Sequence, residues 1–96
     1  MNKYHLSRMA QSHITEIKKY SDINYSEFHW ENYKGKLLSG LNRIAEHPDL
    51  GKIYCEKRDI YSYIISSHIA YYQKIKDEDI MIFALLNQRQ EPKGKF

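Results

Sequence analysis

The run SSHIAYYQKIKDED, residues 66–79, places an imidazole, two phenols and two ammonium groups in one short stretch. Among them only His68 has an ordinary pKa near neutrality, so it is the natural proton carrier. Tyr72 and Lys74 follow it at even spacing, and Arg58 and Arg89 supply fixed cations from elsewhere in the chain. A base, an acid and cations on a phosphate are what metal-independent phosphodiester cleavage requires. Each residue also has a plain structural reading. His68 would cap the turn after Ser66-Ser67, and Tyr72 would pair across strands. Lys74 would be solvated, and Arg58 would pair with Glu56 or Asp59 for little energy.

Metal chemistry finds no support. His5, His13, His29 and His47 miss the i,i+4 spacing that sets two imidazoles on one helix face, and Cys55 is the only cysteine. One cysteine also excludes an internal disulfide, and a free thiol suits a reducing cytosol. No metal and no cofactor is expected.

The elements that must position these groups are legible from periodicity. KYHL (3–6) alternates and meets Ser7, a good N-cap. Met9, Ala10, Ile14, Ile17 and Tyr20 then recur at three- and four-residue spacing, which predicts a helix that SDIN (21–24) interrupts. Ser26 begins a second helix whose stripe is Trp30, Tyr33, Leu37, Leu41 and Ile44. It contains Gly35 and Gly40, which predict a close approach of another backbone, and HPDLG (47–51) stops it. Residues 60–65, 68–75 and 80–86 are rich in β-branched and aromatic residues and are separated by short turns, which predicts an antiparallel meander.

The result is an α+β fold: an N-terminal strand and an antiparallel α-hairpin packed on a three- to four-stranded, mainly antiparallel sheet. Alternation in 68–75 predicts Ile69, Tyr71, Gln73 and Ile75 toward the helices, with His68, Ala70, Tyr72 and Lys74 toward water or a partner. In 80–86 both alternating sets are apolar, which predicts a partly exposed patch for a partner to cover.

Composition bounds the class. At 96 residues the chain is read as one domain, 1–96, and 42% hydrophobic with 28% charged residues is ordinary for a globular protein. A net charge of +3 is too mild for a dedicated nucleic-acid binder, although the last residues, with Arg89, Lys93 and Lys95 against Glu91, are locally basic. Nine tyrosines against three phenylalanines suit half-buried sheet faces and interfaces. No stretch approaches the ~20 apolar residues a membrane helix needs, so a soluble protein is expected.

Four segments in order resemble the ParE branch of the RelE/ParE toxins of bacterial type II toxin–antitoxin modules: YHLSRMAQSHITEI (4–17), LNRIAEHPDLGK (41–52), SHIAYYQ (67–73) and LLNQRQEP (85–92). The resemblance implies a cytoplasmic toxin that inhibits DNA gyrase by binding it and is neutralised by a cognate antitoxin in a hetero-oligomer. It implies neither membrane attachment nor sequence-specific nucleic-acid binding. Arg58, His68, Tyr72, Lys74, Arg89 and Lys93 are the expected target-contacting residues; Trp30, Tyr33, Met81, Phe83 and Leu85 are the expected antitoxin contacts.

RelE-like relatives cut messenger RNA at the ribosome, and for that alternative His68, Tyr72, Lys74, Arg58 and Arg89 would be the catalytic set. A third reading is a degenerate toxin that keeps only antitoxin binding. Asn87 stands where the family often has histidine, Ala84 where a basic residue is common, Ser62 near a frequent arginine, and Tyr25-Ser26 in place of a tryptophan–glycine turn. Asparagine exchanges no proton near neutral pH, which favours binding over cleavage.

Overall fold

The computed structural model describes residues 3–88, without the side chain of Glu27. The elements are β1 (Tyr4–Leu6), α1 (Arg8–Asn24), α2 (Glu27–Glu46), β2 (Lys52–Cys55), β3 (Ile60–Ile65), β4 (His68–Lys74) and β5 (Ile80–Asn87), with 3-10 turns at Pro48–Leu50, Glu56–Arg58 and Lys76–Glu78. The sheet has five strands in the order β1-β5-β4-β3-β2. All neighbours are antiparallel except β1, which lies parallel to β5. The architecture is the expected α+β arrangement.

Local chemistry sets the helices. Ser7 Oγ accepts the Ala10 N–H at 3.0 Å and Ser26 Oγ accepts the His29 N–H at 3.2 Å, so each helix begins on a serine cap. SDIN does not interrupt α1, which runs to Asn24. The polar side chains that would favour a turn are otherwise engaged: Ser21 Oγ meets His29 Nδ1 at 2.8 Å, and the Asn24 amide donates to the Tyr20 carbonyl at 2.9 Å. Only Tyr25 and Ser26 separate the helices. A seventeen-residue helix is marginal alone, so packing must hold the hairpin.

That packing inverts the expected faces of β4. Ala70 and Tyr72, both 0% exposed, lie in one core cluster with Ala10, Leu37, Leu41, Ile44, Ile65, Ile80, Ile82 and Leu85. Tyr71 belongs to a second cluster with Ile60, Ala84 and Leu86, joined by Cys55, Ile69 and Phe83. Alternation was legible, but its direction was not. Tyr72 reads as an outward aromatic, yet its hydroxyl donates to the Pro48 carbonyl at 2.6 Å and accepts the Gly51 N–H at 3.1 Å. A buried phenol is inexpensive when its polar end is satisfied in this way.

The doubly apolar β5 has the same kind of explanation. Tyr71 pairs with Ala84 and Tyr72 with Ile82, which leaves Phe83 as an extra residue and shifts the alternation by one. Before the bulge Ile80 and Ile82 face the helices; after it Leu85 does, while Ala84 and Leu86 join the second cluster. Met81 and Phe83 are half-buried and the other residues of β5 through Leu86 are buried, so the expected open patch on this strand is largely closed. A strand missing from the sequence reading is β2, whose four residues lie at the sheet edge with Ile53 63% exposed and so carry a weak apolar signal.

The helical glycines differ from each other. A Cβ on Gly40 would lie 2.8 Å from three side-chain atoms of the buried Ile65, so the close neighbour is a side chain rather than backbone; a Cβ on Gly35 would meet nothing within 4 Å. Gly35→Ala should therefore stabilise the fold by about 0.5–1 kcal/mol through helix propensity. Gly40→Ala should destabilise it by about 1–3 kcal/mol through overpacking, both read by urea denaturation.

Candidate functional site

The residues nominated for acid–base chemistry do not converge. His68 opens β4 and Lys74 ends it, and six strand steps span about 20 Å. Tyr72 lies between them with no exposed surface and a hydroxyl committed to Pro48 and Gly51. This corrects its expected place on an open surface. Lys74 Nζ pairs with Asp49 Oδ1 at 2.6 Å and sits 4.9 Å from the Tyr61 ring centroid. That contact raises the Lys74 pKa and lowers that of Asp49. Arg58 is exposed in the Glu56–Arg58 turn, where its carbonyl accepts the Gln73 amide at 2.7 Å, and it has no ion pair among the described residues. Arg89 and Lys93 lie outside the described residues.

The expected partner-contacting residues divide by burial. Trp30 and Leu85 are 4% and 2% exposed, which corrects their reading as surface contacts; Tyr33, Met81 and Phe83 are half-buried and retain accessible area. Trp30 sits in the α2 stripe and Leu85 follows the bulge, so the packing that makes the core removes both from the surface.

What the fold does bring together is a groove of about 1030 Å³ between the hairpin and the end of the sheet. One side carries rings in series. Tyr20 meets Tyr25 edge-on at 6.5 Å, Tyr25 stacks on His29 at 4.2 Å, and His29 lies parallel to Tyr33 at 6.4 Å. Tyr33 then meets His68 edge-on at 5.5 Å. His13, Glu16, Lys36, the β3–β4 turn at Ser66-Ser67 and Asn87 are among the other lining residues.

His68 is fixed by this wall. Its Nδ1 lies 2.5 Å from the Tyr33 hydroxyl, whose oxygen accepts the Ser67 N–H at 3.3 Å. This one hydrogen bond fixes the orientation of the imidazole in the wall. Partial burial lowers the His68 pKa from its ordinary 6.5. His13 Nδ1 accepts the Leu85 N–H at 3.1 Å, and His29 Nδ1 faces Ser21 Oγ. The sequence reading found His68 and Tyr33 separately. It did not bring His13, His29 and His68 together, because they converge only through the hairpin. Among the described residues no group of three or more His, Cys, Asp or Glu side chains is placed to hold a metal ion, and no helix is long and apolar enough to cross a membrane.

An α-hairpin over a mainly antiparallel sheet, opened by a short parallel strand, recurs among solved structures. A chain of the chromosomal ParDE TA system from P. aeruginosa superposes with a TM-score of 0.74 over 91% of this chain and 95% of that one, at 11% sequence identity. No curated protein matches the chain in sequence. The family model described as ParE toxin of type II toxin-antitoxin system, parDE, matches residues 4–92. The chain belongs to the ParE toxin family.

Two measurements test these placements. Tyr72→Phe leaves the Pro48 carbonyl and Gly51 N–H without their partner and should cost about 1–3 kcal/mol in denaturation. The second is pH dependence. His68 binds a proton more readily in the unfolded chain, so its contribution to stability is lost as pH falls through 6.5 toward the folded pKa. Asp49, held down chiefly by Lys74, and Asp79, held down chiefly by His5, contribute above 3.8 and lose that contribution as pH falls further. His68→Gln should flatten the slope that sets in as pH falls through 6.5 and leave the lower limb in place.

Proposed function

We propose that this ParE-family chain acts in the bacterial cytoplasm as a toxin that inhibits DNA gyrase by protein–protein binding, and that a cognate antitoxin neutralises it. The family match across residues 4–92 carries this reading. The scattering of the candidate acid–base groups supports binding over cleavage: His68 and Lys74 stand at opposite ends of β4, and the Tyr72 hydroxyl is occupied internally. Arg58, His68 and Lys74, with Arg89 and Lys93 from the basic terminal segment, are the residues proposed to contact the target. Tyr33, Met81 and Phe83 are proposed to contact the antitoxin, whose segment orders on binding and compensates that entropy with apolar area.

Induced expression of the chain in bacteria should arrest growth, and co-expression of the antitoxin should restore it. Purified protein should abolish supercoiling by gyrase, and Arg58→Ala combined with Arg89→Ala should weaken that inhibition at least tenfold. Unchanged supercoiling together with cleaved messenger RNA would overturn this reading in favour of a nuclease.

A further inference from the structure

The side of α2 turned away from the core carries a row of residues without charge. Trp30, Leu37, Leu41 and Ile44 are the buried stripe of this helix. By helical periodicity Phe28, Asn32, Gly35, Ser39 and Asn42 share the opposite side, at alternating spacings of four and three, and all of them are exposed. Charged side chains ordinarily occupy the outward side of a surface helix. Here the row instead begins on an aromatic ring that is 75% exposed, and Ile23, at the end of α1, is 81% exposed. Large apolar groups left open together mark an interaction surface. A Cβ on Gly35 would meet nothing within 4 Å, so the middle of the row is open to a close approach.

The charges that border the row are unpaired and sorted by sign. Glu31 lies on one border, with Lys36 and Arg43 on the other. None of the three has an ion pair among the described residues. A row spaced by four and three is the seam of a two-stranded helix pair, and the residues flanking it set the direction of the partner. With two α2 helices parallel, Glu31 of each copy faces Lys36 of the other. Set antiparallel, Lys36 and Arg43 of one copy would face the same cations of the other, which repel. Parallel alignment also brings Asn32 against Asn32, a polar seam pair that fixes register and limits assembly to two chains.

We infer that the outward face of α2 is a self-association surface for a second copy of this chain. The two α2 helices run parallel about a two-fold axis, with Phe28 against Phe28 and Glu31 of each copy against Lys36 of the other. A two-fold interface requires one self-complementary patch, and this face supplies both partners of each ion pair. The contact lies opposite the core stripe, so pairing leaves the fold unchanged, and it is independent of the toxin reading. One aromatic ring in a seam of small and polar residues makes a small interface, so the pair is reversible rather than obligate.

The test is sedimentation equilibrium of the purified full chain over a concentration series. The expected result is a monomer–dimer equilibrium that weakens as salt is raised. Association should be at least tenfold weaker in Phe28→Ser and in Glu31→Lys, and restored when Glu31→Lys is combined with Lys36→Glu. All three positions are exposed, and unchanged thermal melts establish that the variants remain folded. Direction is read by oxidation in a Cys55→Ser background, where Asn42→Cys should form a disulfide with its own counterpart, because only parallel helices set the two positions side by side. A chain that stays monomeric at every concentration, a dimer indifferent to both Phe28→Ser and the charge exchange, or no disulfide through Asn42→Cys would each overturn the inference. So would a monomer that binds anionic vesicles through Phe28, which would assign the face to a lipid surface.

Discussion

The structure depends on how the outer edge of β5 is satisfied where β1 ends. β1 pairs with β5 only from Ile80 to Ile82, so the backbone of β5 beyond that point lacks a strand on this side. Ser7 and His13 take the strand's place. Ser7 N–H donates to the Ile82 carbonyl at 3.0 Å and its hydroxyl donates to the Phe83 carbonyl at 3.1 Å, while His13 Nδ1 receives the Leu85 N–H at 3.1 Å. Unpaired backbone groups in a partly buried strand are costly, so these bonds decide where α1 leaves the sheet and where the bulge at Phe83 lies. Ser7 also caps α1, which couples the start of the hairpin to the change of phase in β5.

From that coupling follow both apolar clusters and the groove. The bulge turns Leu85 toward the helices and Ala84 and Leu86 away, so one strand serves two cores. The hairpin is then packed with Ala70 and Tyr72, and Tyr25, His29 and Tyr33 form a wall that meets the β3–β4 turn through Tyr33. Two structural bonds anchor the wall, Ser21 to His29 and Tyr33 to His68. Groups committed in this way hold fixed positions in the wall.

Much of this was legible in the sequence. Both serine caps, the α2 stripe, the Ala10, Ile14 and Ile17 part of the α1 stripe, the stop at HPDLG and the three long strands follow from spacing and turn chemistry, whereas Met9 and Tyr20 lie exposed. The order of segments pointed to the family. Which face of β4 turns inward was not legible, since Ile69 and Tyr71 look as apolar as Ala70 and Tyr72, and the decision rests on a hydroxyl reaching Pro48 and Gly51 across 21 or more residues. The bulge was hidden because a strand apolar on both sides gives no sign of a change in phase. The meeting of His13, His29 and His68 was hidden because they come from three separate elements.

The most direct test of this account is amide hydrogen exchange at Leu85, whose N–H has a histidine side chain as its acceptor. The account predicts strong protection in the native protein, comparable to the central ladder of β4 and β5, and its selective loss in His13→Leu while the Tyr72 amide stays protected. Fast exchange at Leu85 in the native chain, or protection unchanged by His13→Leu, would contradict the claim that α1 completes the edge of β5 and thereby places the groove.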